Sequence, residues 1–267
     1  LLGLAAARPN LVLILTDDQD LFLGGWTPMN QTQRLLGDAG ATASNWFIHT
    51  PVCCPSRAEL LTGRYFHNLR VAGPSAGGCM HADLARVEPY SYAAALARAN
   101  YSNGYFGKHV NAAPHEPPAG WDCASCYWFA NGGGADAEPG GYLNATFSDF
   151  AGGAAVGPDA YHAAAGTYVA STAGEFGGYT TAVIANKSIA WLRDTVARGG
   201  GAPFSLTLAP KAPHVPATPA PWYAEGTWVD ALPGAPRTPD YNASAEVRSP
   251  IPLAHLEHPQ VPSTAAA

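Results

Sequence analysis

No run of basic residues occurs in this chain, and charge of either sign is scarce. Asp, Glu, Lys and Arg make up 13% of its 267 residues, and the net charge is -6. That balance gives no reason to expect nucleic acid as a partner, while leaving room for a local basic patch facing a polyanionic sugar. No stretch is long and apolar enough to span a bilayer. No internal repeat is present, which argues against a solenoid. Cysteine is limited to five residues. Cys123-Ala124-Ser125-Cys126 has neither a second C-x-x-C nor a nearby His pair to support zinc. Its spacing leaves a redox pair, half of a zinc site or a short-loop disulfide.

What is present suits one globular domain: 47% of the residues are hydrophobic, ample for a sizeable core. Gly (29) and Pro (24) are abundant, so loops should be long. The stretch Asn131-Gly132-Gly133-Gly134 through Glu138-Pro139-Gly140-Gly141 reads as a turn-rich surface excursion. Five N-x-S/T triplets, at Asn30, Asn100, Asn144, Asn186 and Asn242, are candidate glycosylation sites and point to the secretory pathway. The opening Leu1-Leu2-Gly3-Leu4-Ala5-Ala6-Ala7 resembles the end of a signal-peptide apolar region. An extracellular, cell-surface or lysosomal location is therefore expected, and a disulfide is favoured for the C-x-x-C.

The run Asn10-Leu11-Val12-Leu13-Ile14-Leu15-Thr16, short and apolar between Pro9 and Asp17-Asp18, predicts a buried parallel strand. A short helix is expected from Gln31 to Asp38, closed by Gly40, and a strand over Asn45-Trp46-Phe47-Ile48. Helices are expected over Ser56 to Thr62 after Pro55, over Ser91 to Ala99, and over Thr180 to Arg198, where Val183, Ile184, Ile189, Trp191 and Leu192 make an apolar face. Asn103-Gly104-Tyr105-Phe106-Gly107 leads from a strand into a loop, and Phe204-Ser205-Leu206-Thr207-Leu208 is the next strand. Alternating strands and helices imply an α/β fold with a mostly parallel central sheet flanked by helices. Asp17, Asp18, Lys108 and His214 each follow a predicted strand, where sites form in open parallel sheets.

The adjacent carboxylates of Asp17 and Asp18 are hard ligands suited to Ca²⁺ or Mg²⁺, and a solvated acidic turn is the plain alternative. The segment Cys53-Cys54-Pro55-Ser56-Arg57-Ala58-Glu59-Leu60-Leu61-Thr62-Gly63-Arg64 reads C-x-P-S-R followed by L-T-G-R. The pattern takes Cys53 as its first residue, because Pro55 then stands at +2 and Arg57 at +4, whereas Cys54 runs directly into Pro55. With Gly107-Lys108-His109-Val110-Asn111, Gly63-Arg64-Tyr65-Phe66-His67-Asn68, Cys79 and Ala212-Pro213-His214-Val215-Pro216, the chain resembles the formylglycine-dependent sulfatases of the alkaline-phosphatase-like superfamily. Within them it is most similar to the N-acetylglucosamine-6-sulfatase and extracellular endosulfatase branch, over roughly residues 8 to 225.

The resemblance implies that Cys53 is oxidised to formylglycine by a formylglycine-generating enzyme, and that its hydrate offers one hydroxyl to attack sulfur and another to expel sulfate. Of the other four cysteines, Cys54, Cys79, Cys123 and Cys126, three pairings are then open. Arg57 would hold the hydrate, and Lys108 the sulfate as a point charge. His214 would bind sulfate and protonate the leaving alcohol. Asp17, Asp18 and the modified Cys53 would hold a divalent cation, Ca²⁺ with Mg²⁺ as the alternative. Many sulfatases place a His two residues after the Lys; here Val110 stands there, so His109 does not carry over as a base. The substrate implied is a sulfated carbohydrate.

The family's later Asp-Asn or Asp-His pair and second Lys are absent, so the sequence reads as an N-terminal fragment: residues 1–7 a leader remnant, 8–225 a partial catalytic domain, 226–267 a Pro-rich, poorly ordered tail. A phosphomonoester or phosphonate hydrolase of the same superfamily, and a glycan-binding fragment without activity, are the alternative readings.

Overall fold

Five strands form one sheet in the computed structural model, which describes residues 8–19, 24–69, 88–110, 119–121, 127–129, 142–143, 147–149, 178–198 and 201–223. They are β1 (Leu11–Ile14), β2 (Ser102–Lys108), β3 (Tyr127–Phe129), β4 (Phe147–Asp149) and β5 (Phe204–Ala209), in the order β1-β5-β2-β3-β4. β1, β5, β2 and β3 run parallel, and β4 closes the row antiparallel to β3. The mostly parallel sheet expected from the sequence is what forms. The leader, the Gly-rich excursion, the Pro-rich tail, Cys79, Cys123, Cys126, Asn144 and Asn242 lie outside the described residues.

β5 is an interior strand, paired with β1 on one side and β2 on the other, and its alternation assigns the two layers. Phe204, Leu206 and Leu208 join Phe106 of β2 against Val183, Ile184, Trp191 and Leu192 of helix α4 (Thr180–Ala197). Burying each of the large apolar members contributes about 1.5–3 kcal/mol. The backbone of β2 passes so near this layer that a Cβ on Gly104 would lie 2.7 Å from the Trp191 ring. On the opposite face Thr207 meets the hydroxyl of Tyr92 at 2.8 Å, and Asn103 donates to the Ala93 carbonyl at 3.0 Å. Tyr105, Ala209 and Trp121 pack there with Leu61 and Ala93. These contacts seat helices α2 (Cys53–Thr62) and α3 (Tyr92–Arg98) on that face. Ser91 caps α3 by accepting from the Ala94 N–H at 3.2 Å.

Four local expectations are corrected. β1 is an edge strand with exposed side chains, Val12 at 56%, because β5 is its one strand neighbour among the described residues. Residues 45–48 do not form a strand: among the described residues no strand pairs with them, and Phe47 is 84% exposed. The helix expected from Gln31 to Asp38 is one α-helical turn, α1 (Asn30–Thr32), running into a π-helical turn over Gln33–Gly37 in which the Asp38 N–H reaches Gln33 O at 2.8 Å. α2 begins at Cys53, three residues earlier than expected. Pro55 is tolerated there because a first turn leaves its N–H groups unpaired. α2 ends at Gly63, whose φ of +66° suits a left-handed cap. β3 and β4, three residues each, had no reading from the sequence.

Candidate active site

The carboxyl ends of β1, β2 and β5 meet at one place. The Leu15 N–H donates to Leu208 O at 2.8 Å and the Asp17 N–H to Ala212 O at 3.3 Å, and Asp17 bridges Pro213. The loops after β1 and β5 are thereby zipped together. Lys108, the last residue of β2, enters from the side, fully buried. Gly107 permits the turn: its φ is +117°, and a Cβ there would lie 2.1 Å from Ala209 O.

Asp17 is the anionic centre. Its Oδ2 accepts from Lys108 Nζ at 2.6 Å and its Oδ1 from Arg57 Nη2 at 3.1 Å, all three side chains buried. Burial pushes the Asp17 carboxyl up, but Arg57 and Lys108 outweigh it and hold the group below the usual carboxylate range. Arg57 Nη1 also donates to the Lys108 carbonyl, which the Tyr105 hydroxyl reaches at 2.6 Å. Arg57 stands four residues after Cys53 on α2, a spacing that puts both on one face. Ligand atoms of Asp17, Cys53 and His214 all lie within 4.8 Å of one another.

His214 is buried in the loop after β5. Its Nδ1 stands 2.6 Å from the Val215 carbonyl, which can only accept, so the proton sits on Nδ1 and Nε2 faces the site. Nε2 is 3.6 Å from Asp18 Oδ2, and the Tyr142 hydroxyl donates to the His214 carbonyl. Asp18, with φ +60°, is half exposed and lies at the rim.

Two further groups stand out. Lys211 is buried, and its Nζ lies 5.7 Å from the centroid of the Tyr142 ring. Burial pulls its pKa down, with Lys108 adding to the effect. Arg57 and Lys108 thus pair directly with the buried Asp17 carboxylate, and Lys211 feels its charge together with those of Asp18 and Cys53. His109 is buried edge-on to Tyr105 and drawn down to about 3 by burial, so it stays neutral and outside the cluster.

Cys53 is a free thiol, half-buried, while Cys54 is fully buried and disulfide-bonded. Of the two adjacent thiols, Cys53 is the one left for chemistry. The structure brings Asp17, Cys53, Arg57, Lys108 and His214, all expected from the sequence, to this place, and it leaves Asp18, expected beside Asp17 as a metal ligand, at the rim. The sequence reading did not single out every neighbour. It missed Tyr105 and Tyr142, whose hydroxyls fix the Lys108 and His214 carbonyls, and it set Lys211 aside. The Lys in Ala209-Pro210-Lys211-Ala212-Pro213-His214 was the available signal. Away from the site, Asn30 and Asn100 are exposed, as a glycan requires. Asn186 is half-buried on α4, and Ser188 of its triplet is buried with its hydroxyl on the Ala185 carbonyl at 2.8 Å.

The family model described as Sulfatase matches residues 9–247. The chain belongs to the sulfatase family. Among curated sulfatases it is 35% identical over 233 residues to the N-acetylglucosamine-6-sulfatase of Homo sapiens, covering 83% of this chain and 37% of that protein. It is 36% identical over 220 residues to the extracellular sulfatase SULF-1 homolog of Drosophila melanogaster, covering 81% of this chain and 17% of that protein. The resemblance read from the motifs therefore extends over most of the chain, which spans little more than a third of the first relative and less of the second. The crystal structure of Ps i-CgsB matches with a TM-score of 0.50 at 24% identity, over 79% of this chain and 46% of that one, a likeness of fold alone. Among the described residues no helix is long and apolar enough to cross a membrane.

Proposed function

We propose that this chain carries the nucleophile side of a sulfatase site and hydrolyses a sulfate monoester of a sugar to alcohol and inorganic sulfate. The observation that carries the proposal is the meeting of Cys53, Arg57, Lys108, Lys211 and His214 around the buried Asp17. Converted to formylglycine by a generating enzyme, Cys53 would supply the hydrated aldehyde that the chemistry needs. Arg57, fixed by Asp17 and the Lys108 carbonyl, holds charge beside that position without reorganising. Lys108 and Lys211 would donate to the sulfate oxygens as point charges. His214, with Nδ1 committed to Val215, presents Nε2 to the departing alcohol.

A divalent cation fits the donor type here. Two carboxylates, Asp17 and Asp18, and an oxygen on the modified Cys53 are hard ligands, though they fill only part of the six to eight oxygens that Ca²⁺ takes. Bound there, Ca²⁺ or Mg²⁺ would offset the negative charge of the sulfate. The similarity to N-acetylglucosamine-6-sulfatase and to an extracellular sulfatase supports a sulfated glycan as substrate and a secretory location, with glycans at Asn30 and Asn100.

The test has two arms. Mass spectrometry of the peptide holding Cys53, from a host with the converting enzyme, should show the aldehyde; a wholly unmodified thiol counts against the proposal. The protein should turn over an aryl sulfate faster than the matching aryl phosphate. The reverse preference identifies a phosphate ester hydrolase, and binding of sulfated glycan without release, even with added Ca²⁺, identifies a binding fragment.

A further inference from the structure

A cluster of exposed rings stands past the end of α2 that is remote from Cys53. The Tyr65 ring meets two imidazoles: His49, with ring centroids 4.4 Å apart, and His67, 5.9 Å away with the planes 17° from parallel. All three side chains are exposed. Arg64, exposed beside them, holds its guanidinium 5.4 Å from the centroid of the Tyr90 ring. Trp46 and Phe47, also exposed, precede His49 by three and two residues.

One carboxylate pins the cluster. Glu59 Oε1 accepts from His49 Nδ1 at 3.0 Å, from the Thr50 hydroxyl at 2.9 Å and from the Phe66 N–H at 2.7 Å. The chain entering α2 and the chain leaving it are thereby tied together, and His49 and Tyr65 are in place before any ligand arrives. The Glu59 side chain is mostly buried, so its charge is answered within the cluster. What the surface offers is ring faces and the cation of Arg64. Rings this exposed bury little area for the fold, and an ordered group of them marks a contact surface. One face of a pyranose ring carries C–H groups and can lie flat on an aromatic ring while its hydroxyls stay hydrated at the edge. Sulfate groups on the same sugar chain suit the planar fork of Arg64.

Position sets the size of the occupant. α2 has 10 residues, so the rings beyond Gly63 lie about 15 Å from Cys53 along the helix. Residues 49–52 lead back from the rings to Cys53. A single sugar ester at the nucleophile cannot reach Tyr65, but a chain of several units can. We propose that Tyr65, His49, His67 and Arg64 form a remote subsite for a sulfated glycan chain, holding sugar units away from the one that reacts. The choice of a sulfated sugar rests on the sulfatase reading; the dependence of binding on chain length and on Tyr65 does not.

The experiment uses the whole chain carrying Cys53→Ala, so that nothing is turned over, and two probes, a heparin octasaccharide and a heparin disaccharide, with affinities measured by calorimetry. The octasaccharide should bind more tightly. Tyr65→Ala should weaken it roughly ten-fold, the scale of one or two aromatic contacts, and leave the disaccharide unaffected. Tyr65→Phe, which keeps the ring, should retain the parent affinity. His67→Ala serves as the second variant and should act in the same direction, and Arg64→Gln should cost about three-fold, the scale of one exposed ion pair. Equal affinity for the two probes, an octasaccharide indifferent to both Tyr65→Ala and His67→Ala, or an equal loss of both probes overturns the proposal. Each of these results leaves the sulfatase reading standing, because the Cys53 aldehyde and aryl sulfate turnover decide that in the unsubstituted chain. An octasaccharide held through Tyr65 by a chain that releases no sulfate would count against the sulfatase reading alone.

Discussion

Gly107→Ala is the substitution with the sharpest expected penalty. Gly107, next to last in β2, stands opposite Ala209 of β5, with φ at +117°, and an added Cβ would meet Ala209 O at 2.1 Å and its carbonyl carbon at 2.6 Å. No side-chain rotation can relieve this, since both neighbours are backbone. The strained φ costs about 1–3 kcal/mol. Opening the β2–β5 ladder at this pair loses one or two hydrogen bonds at about 1 kcal/mol each. The sum, about 2–5 kcal/mol, is a large part of an ordinary domain's stability. With a urea dependence of about 2 kcal/mol per molar, the midpoint should fall by about 1–2.5 M in a titration followed by tryptophan fluorescence. Gly63→Ala is the control. Gly63 has φ +66° and nothing within 4 Å of a Cβ, so only the left-handed backbone is penalised, by about 1 kcal/mol. A Gly107→Ala midpoint within about 0.5 M of the parent, or equal losses in the two variants, would refute the close-approach argument. Since Lys108 follows Gly107, sulfate ester turnover per folded molecule should also drop.

Arg57→Ala leaves Asp17 buried with one of its two cations, and the urea midpoint should report a loss of about 3–5 kcal/mol. His109 makes stability pH-dependent. Its folded value is drawn down to about 3, so below its ordinary value near 6.5 the unfolded chain takes the proton first, and stability is present above that range and lost as pH falls. The slope should approach about 1.4 kcal/mol per pH unit between pH ~6 and pH ~4, and His109→Gln should flatten that part of the curve. Lys211→Met should raise KM for a sulfate ester by about ten-fold, through loss of a charge-assisted contact, while the melting temperature holds or rises because a buried ammonium is removed. A fall in melting temperature with unchanged KM would assign Lys211 to the fold instead of the substrate.

The site was legible where chemistry stands at a strand end. Asp17, Lys108 and His214 come just after strands that the apolar runs mark out, and a parallel sheet brings such ends together. Cys53 and Arg57 were legible from a motif whose i, i+4 spacing survives in α2. Lys211 was not, because burial among cations is a property of the packed loop and the sequence shows only a Lys among prolines. Tyr142 was invisible for a related reason: its work is a hydrogen bond to a carbonyl 72 residues away. The apolar runs misled in two places. Trp46-Phe47-Ile48 has strand composition without a partner, and β1 has the composition of a central strand while lying at an edge. Composition reports what a segment could bury, and pairing decides whether it does.

The place of β5 has a consequence for how this chain assembles during synthesis. Among the described strands β5 comes last in the chain yet lies between β1 and β2, so neither has it as a partner until residues 204–209 have left the ribosome. Some 195 residues separate the end of β1 at Ile14 from the end of β5 at Ala209. At about 5–20 residues per second, β1 waits roughly 10–40 s with its apolar side chains unpaired. Nearly all the site's contacts are long-range, so Asp17 and His214 can meet only after that delay, and folding should be slow for a chain of this size. A nascent chain stalled just short of residue 204 should bind chaperones and resist proteolysis poorly, whereas one stalled with β5 fully emerged should be protected.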